Sequence, residues 1–311
     1  MTAAPPQVAI LMAVYNGAEF LPEQLDSLAI QTYKTWRLWV SDDGSTDATL
    51  DILGRYRKAW GPDKLRLLPG PRSGFQHNFL KLTANPRIKA DYYAWADQDD
   101  IWLPSKLDRA LKHLLPLGQE QPALYCGRTI LTDRRGRDYG LSPVLDRHGL
   151  NFTNALMQSV GSGNTMIFNR AARELIAGEY PLALIAHDWW AYQVVSGCGG
   201  RLIYDREPQV RYRQHGGNLF GSNRGLFNRL SRLRWLLNGA LKRNVDVNLL
   251  SLQKLSSLLT PDNRRNLETL TTLRRLRNPL QRLSRFRVAG FYRQTALEQT
   301  AVYLAVLLGK V

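Results

Sequence analysis

Ala94-Trp95-Ala96-Asp97-Gln98-Asp99-Asp100-Ile101-Trp102 places three carboxylates within four residues, directly after the apolar run Tyr92 to Ala96. A strand cannot bury three uncompensated carboxylates, because each costs several kcal/mol unless paired or bound to a cation. The cluster is therefore expected at a strand-to-loop junction, the edge of an open α/β sheet where ligands sit. Hard oxygen ligands of this kind suit Mg2+ or Mn2+, which take one or two carboxylates and complete their shell with water and phosphates. The plainer reading is an acidic turn before the helix that follows Pro104-Ser105, with Asp100 as its cap.

Upstream of this stretch, Gln7 to Val14 is a continuous apolar run, as in a strand buried on both faces of a parallel sheet. Tyr15-Asn16-Gly17 ends it, and Phe20, Leu21, Leu25 and Leu28 then recur at helical spacing. Trp36 to Val40 reads as a second strand, entering Ser41-Asp42-Asp43-Gly44-Ser45-Thr46-Asp47 before a helix over 48–60. This order makes a βαβ unit with parallel strands and a right-handed crossover. A weak strand at 65–68 and a helix at 75–84 lead into the carboxylate strand. No Gly-x-Gly-x-x-Gly dinucleotide fingerprint is present. Downstream, the pattern predicts a helix over 106–115, one strand over 124–132, a Gly161 to Thr165 turn feeding a strand, a helix over 187–196 and short strands at 201–204 and 208–212.

The net charge of +16 is unevenly placed: residues 1–200 hold 21 Lys+Arg against 20 Asp+Glu, whereas 201–311 hold 21 against 6. Beyond Gly221, leucine and arginine alternate at helical spacing over 226–242, 249–259 and 266–277, punctuated by Pro261 and Pro279, and a last apolar helix is expected over 296–308. Arg224, Arg229, Arg232, Arg234, Lys242 and Arg243 among leucines give the composition of an amphipathic helix on an anionic membrane surface. A solvated bundle face or an oligomerisation surface has the same composition. Two cysteines, Cys126 and Cys198, are too few for a disulfide framework. No window approaches the roughly 20 apolar residues of a membrane span. A cytoplasmic protein, peripheral on the inner face of the plasma membrane, is the expectation.

Taken together, Ala13-Val14-Tyr15-Asn16-Gly17, Ser41 to Asp47, Asp97 to Trp102, His187-Asp188-Trp189-Trp190 and Tyr212-Arg213-Gln214-His215 resemble the successive motifs of family 2 inverting glycosyltransferases, in order over about residues 7–220. The Asp-Gln-Asp-Asp-Ile-Trp and Tyr-Arg-Gln-His forms resemble the bacterial rhamnosyltransferase-like branch. The resemblance implies an α/β fold of the GT-A type, a Rossmann-like mixed sheet flanked by helices. It also implies a nucleotide-sugar-binding catalytic domain over 1–220, followed by a basic helical region over 221–311.

It further implies that Ala13, Tyr15 and Asn16 border the nucleotide, Asp42 bonds the base and Asp97 approaches the ribose. Asp99 would hold Mg2+ or Mn2+ bridged to the diphosphate, with His215 as a further metal or diphosphate contact. Asp188 would be the general base, although His187 stands where the family carries Glu. Gly163, Asn164, Thr165, Trp189 and Trp190 are candidate contacts to donor or acceptor sugar. The Gln-x-x-Arg-Trp motif of processive members is absent, which favours single-sugar addition. The expected partners are a nucleotide-diphosphate sugar, with dTDP-rhamnose the first donor the resemblance suggests, and a glycan or polyprenyl-linked acceptor in surface polysaccharide synthesis. The rival readings are a soluble nucleotide-sugar enzyme whose basic region only oligomerises, and a basic nucleic-acid-binding protein.

Overall fold

A computed structural model describes residues 4–178, 184–215 and 238–311. Four parallel strands form its centre: β1 (Val8–Val14), β2 (Trp36–Asp42), β3 (Leu65–Pro69) and β4 (Tyr92–Ala96). Every residue of β1 and β4 is buried, which is why both read as unbroken apolar runs. Helices α1 (Leu21–Ala29), α2 (Thr49–Trp60) and α3 (Phe75–Ala84) make the crossovers. Leu21, Leu25 and Leu28 of α1 are fully buried in the core. Each contributes roughly 1.5–3 kcal/mol, and Leu25→Ala would cost about 2–5 kcal/mol.

The sheet then turns mixed. Helix α4 (Lys106–Leu114) leads to β6 (Ala123–Gly127), which pairs antiparallel with β9 (Ile167–Asn169), itself antiparallel to β4. With β10 (Arg201–Asp205) the order is β10-β6-β9-β4-β1-β2-β3. A second sheet, β5-β11-β7-β8, joins β5 (Ile101–Trp102), β7 (Ile130–Thr132), β8 (Asp138–Leu141) and β11 (Val210–Arg213). The span 124–132 is thus two strands in two sheets. The Arg128 amide donates to the Asp205 carbonyl at the break, where the chain leaves one ladder for the other.

The described residues divide into two compact units: residues 4–142, 161–178 and 203–215 in the first, and 143–160, 184–202 and 238–311 in the second. The second holds α5 (Phe152–Ala155), α7 (His187–Gly197), α8 (Ala240–Lys254), α9 (Pro261–Leu273), α10 (Pro279–Val288) and α11 (Ala296–Leu307), while α6 (Arg170–Ala177) belongs to the first. Pro279 starts a helix where the sequence suggests only a break. Proline at the first helical position loses no hydrogen bond, and the Asn278 side chain caps the amides of Leu280 and Gln281. The basic residues Arg224, Arg229, Arg232 and Arg234 lie outside the described residues; Lys242 and Arg243 are exposed on α8. Among the described residues no helix is long and apolar enough to cross a membrane.

Candidate active site

Register brings the turns together. Val14 pairs with Asp42, and Met12 with Ala96, so the parallel strands β1, β2 and β4 release their loops at one edge of the sheet. Ala13, the penultimate residue of β1, is buried, whereas Tyr15 and Asn16 are exposed. Asn16 adopts a left-handed φ of 46°, which its short polar side chain tolerates. Its Oδ1 accepts from the Thr46 amide at 2.8 Å, its own amide donates to Ser45 Oγ at 2.9 Å, and the Ala18 amide donates to Asp47 Oδ2 at 3.0 Å. The first turn is thereby bolted to the second.

Within that second turn, Asp42 accepts from the Gly44 and Ser45 amides, an Asx-turn. Asp43 reaches further, to the Arg72 and Gly74 amides at 2.6 and 3.0 Å. The Gln98 carboxamide clasps Tyr15 in both directions: Tyr15 N–H donates to Oε1 at 2.9 Å and Nε2 donates to the Tyr15 carbonyl at 3.0 Å. Gly17 leaves room for that clasp: a Cβ there would stand 2.3 Å from Gln98 Oε1 and push the carboxamide aside.

The three carboxylates meet different fates. Asp97 is half-buried, and its carbonyl accepts from buried Gln24 at 3.0 Å. Asp99 Oδ2 lies 2.7 Å from His215 Nε2, both side chains largely shielded from solvent. Asp100 is fully buried. It accepts from Asn164 Nδ2 and from the Arg213 amide, so it does not cap α4, whose N-terminus has no side-chain cap. Burial, and the charges of Asp99 and Asp97, push the Asp100 carboxyl well above the usual range.

The residues behind this cluster, Lys106 and Arg213, have no role assigned from sequence. Lys106 is fully buried; its ammonium donates to the Asn164 carbonyl at 2.6 Å and sits 3.2 Å from the centre of the Trp102 ring. Burial pushes it down and Asp100 opposes that shift. A signal was present, since Lys106 lies one helical turn before Ala110 on the apolar face of α4. Arg213 is also buried. Its Nε donates to the Asp99 carbonyl at 3.0 Å, one terminal nitrogen to the Arg134 carbonyl at 2.8 Å, and the other to Glu23. Its guanidinium lies 4.9 Å from the Phe20 ring, which packs 4.8 Å from the His215 ring.

Of the candidate sugar contacts, Gly163, Asn164 and Thr165 form a buried 3-10 turn. Thr165 Oγ1 donates to the Ser162 carbonyl at 2.8 Å. Trp189 and Trp190 belong to the second unit and are buried on α7; Trp189 Nε1 donates to the Ala155 carbonyl at 2.7 Å. Asp188, in the first turn of α7, is half-buried and accepts from the Trp189 amide. Burial pushes the neighbouring His187 imidazole down to about 3, so it is neutral at physiological pH and does not carry the charge of a glutamate.

Among the described residues no group of three or more His, Cys, Asp or Glu is arranged to hold a metal ion. The Asp99–His215 pair nevertheless fits Mg2+ or Mn2+, which commonly keep only one or two protein ligands and take the rest from water and substrate phosphate.

The sequence model of Glycosyl transferase family 2 matches residues 9–176, which include both turns and the carboxylate cluster. The chain belongs to glycosyl transferase family 2. Among relatives of this glycosyltransferase, the dTDP-rhamnosyl transferase RfbG of Shigella flexneri is 26% identical over 243 residues, 75% of this chain and 82% of the relative. A glycosyltransferase of Rickettsia prowazekii is 27% identical over 244 residues, 76% of this chain and 72% of the relative. The GT-A fold is shared with solved structures. Staphylococcus aureus TarS 1-349 in complex with UDP-GlcNAc superposes with a TM-score of 0.56 at 14% identity, covering 97% of this chain and 92% of that one. The mannosyltransferase PcManGT from Pyrobaculum calidifontis, in complex with GDP-Man and Mn2+, gives 0.55 at 19%, covering 99% and 86%.

Proposed function

We propose that this glycosyltransferase adds a single sugar, with rhamnose from dTDP-rhamnose the first donor to test, to a glycan or polyprenyl-linked acceptor by inverting displacement. The donor choice is supported by similarity to a dTDP-rhamnosyl transferase, and the peripheral membrane setting by the basic leucine-rich C-terminal region. The observation that carries the reading is the Asp99–His215 pair at the mouth of β4, beside the bolted turns of β1 and β2. In this reading Ala13, Tyr15 and Asn16 border the nucleoside, Asp42 takes the base and Asp97 the ribose. Asp99 and His215 hold the divalent cation, which supplies charge neutralisation for the leaving diphosphate when bound. Asp188 takes the acceptor hydroxyl proton, worth a factor of about 100 to 10,000 in rate.

A calorimetric panel of nucleotide sugars with Mg2+ and Mn2+ tests the assignment. Asp99→Asn should abolish metal-dependent nucleoside diphosphate binding, and Asp188→Asn should keep binding while losing transfer. Unchanged binding in Asp99→Asn sinks the metal assignment. Flotation with anionic liposomes at low salt tests the membrane setting, and a protein left unbound there refutes it.

A further inference from the structure

We infer that the turn between β7 and β8, Asp133-Arg134-Arg135-Gly136-Arg137, is a phosphate-binding rim of the active site, with Arg134 and Arg135 as its ligands. The inference rests on the reading of Asp99 and His215 as the diphosphate end of the site. Three observations carry it. The turn is held against that pair by one buried guanidinium, because Arg213 donates to the Arg134 carbonyl and to the Asp99 carbonyl at once. β11 and β7 run parallel, and the Gln214 amide donates to the Thr132 carbonyl at 2.8 Å, so the start of the turn and His215 leave neighbouring strands together.

The turn is also built. Asp133 Oδ1 accepts from the Arg135 and Arg137 amides at 2.9 and 3.0 Å, and Gly136 supplies a φ of 77° that a residue with a Cβ rarely adopts. That closure fixes where its arginines start. Finally, the charges are unevenly satisfied. Arg137 pairs with Asp133, and Arg134 pairs with Glu19 where both side chains are more than half exposed. Arg135 is exposed, with no carboxylate in ion-pair range among the described residues. An exposed pair such as Arg134–Glu19 contributes little and exchanges readily for a doubly charged oxyanion. The Arg134 guanidinium lies 5.9 Å from the Phe20 ring, which itself packs on His215.

The phosphate belongs either to the donor or to a phosphorylated acceptor. Calorimetry on the full chain distinguishes them, with Mn2+·dTDP as the donor probe, farnesyl diphosphate as the acceptor probe and farnesol as the uncharged control. In Arg134→Ala/Arg135→Ala, affinity for one diphosphate probe should fall about tenfold or more, with farnesol binding and melting temperature unchanged. The weakened probe names the source, and Arg134→Lys/Arg135→Lys should restore most of the affinity. Diphosphate affinities within about twofold of wild type for both probes overturn the rim while leaving the metal assignment standing. Conversely, wild-type protein that ignores Mn2+·dTDP yet binds farnesyl diphosphate through these arginines overturns the metal assignment and keeps the rim.

Discussion

Two acidic turns at the same sheet edge, Ser41 to Asp47 and Asp97 to Trp102, look alike in sequence and are held in opposite ways. In the first, carboxylates are satisfied by backbone amides: Asp42 by its own turn, Asp43 by the loop at 72–74. In the second, they are satisfied largely by distant groups, Asn164, Arg213 and His215, with buried Lys106 behind. A turn closed by backbone amides, its own and its neighbours', tolerates solvent. A cluster closed by residues from three other elements is rigid, and failure at one member exposes an uncompensated charge to the rest.

The contrast breaks most visibly at Asp100. Replacing it with alanine takes the acceptor away from the buried Asn164 side chain and the Arg213 amide and should cost about 2–5 kcal/mol in urea denaturation. Asp100→Asn combined with Lys106→Met should cost clearly less than the sum of the single changes, since Asn164 joins the two, its side chain bonded to Asp100 and its carbonyl to Lys106. Additive losses would show that the two do not belong to one network.

The Ser41 to Asp47 turn should be gentler, as its partner Asn16 in the turn after β1 tests. Asn16→Ala forces a Cβ-bearing apolar residue into the left-handed region and removes the acceptor for Thr46, for about 1–2 kcal/mol by thermal melting. Asn16→Gly should recover the backbone part of that loss. Equal losses for alanine and glycine would put the whole effect in the hydrogen bond.

Asp42→Asn sharpens the comparison at its small end. The amide oxygen still closes the Asx-turn, so stability should stay within about 0.5 kcal/mol of wild type. A loss approaching that of Asp100→Ala would erase the distinction between the turns.

What the sequence disclosed follows the same division. β1, β2, β4 and their crossover helices were legible because each is a local pattern: an apolar run, a turn, then apolar residues at helical spacing. The second sheet was not, because β5 has two residues and pairs with β11, more than a hundred positions away. For the same reason 124–132 read as one strand, although its apolar residues serve two ladders. At the candidate site, the chemistry-bearing turns stood out by composition. Lys106 did not, since a basic residue looks like surface until burial is known, and the burial of Arg213 and Asn164 against Asp100 was likewise out of reach of the sequence. Pro279 misled because proline marks helix starts as well as stops, and Asn278 before it was the clue.

Gln98 gives these loops a practical unity. With its carboxamide occupying both backbone polar groups of Tyr15, and Gly17 lying under the same side chain, the loops after β1 and β4 are coupled and are not re-engineered separately. Anyone grafting the Tyr15–Gly17 turn of a relative into this scaffold to change its donor must graft that relative's counterpart of Gln98 as well.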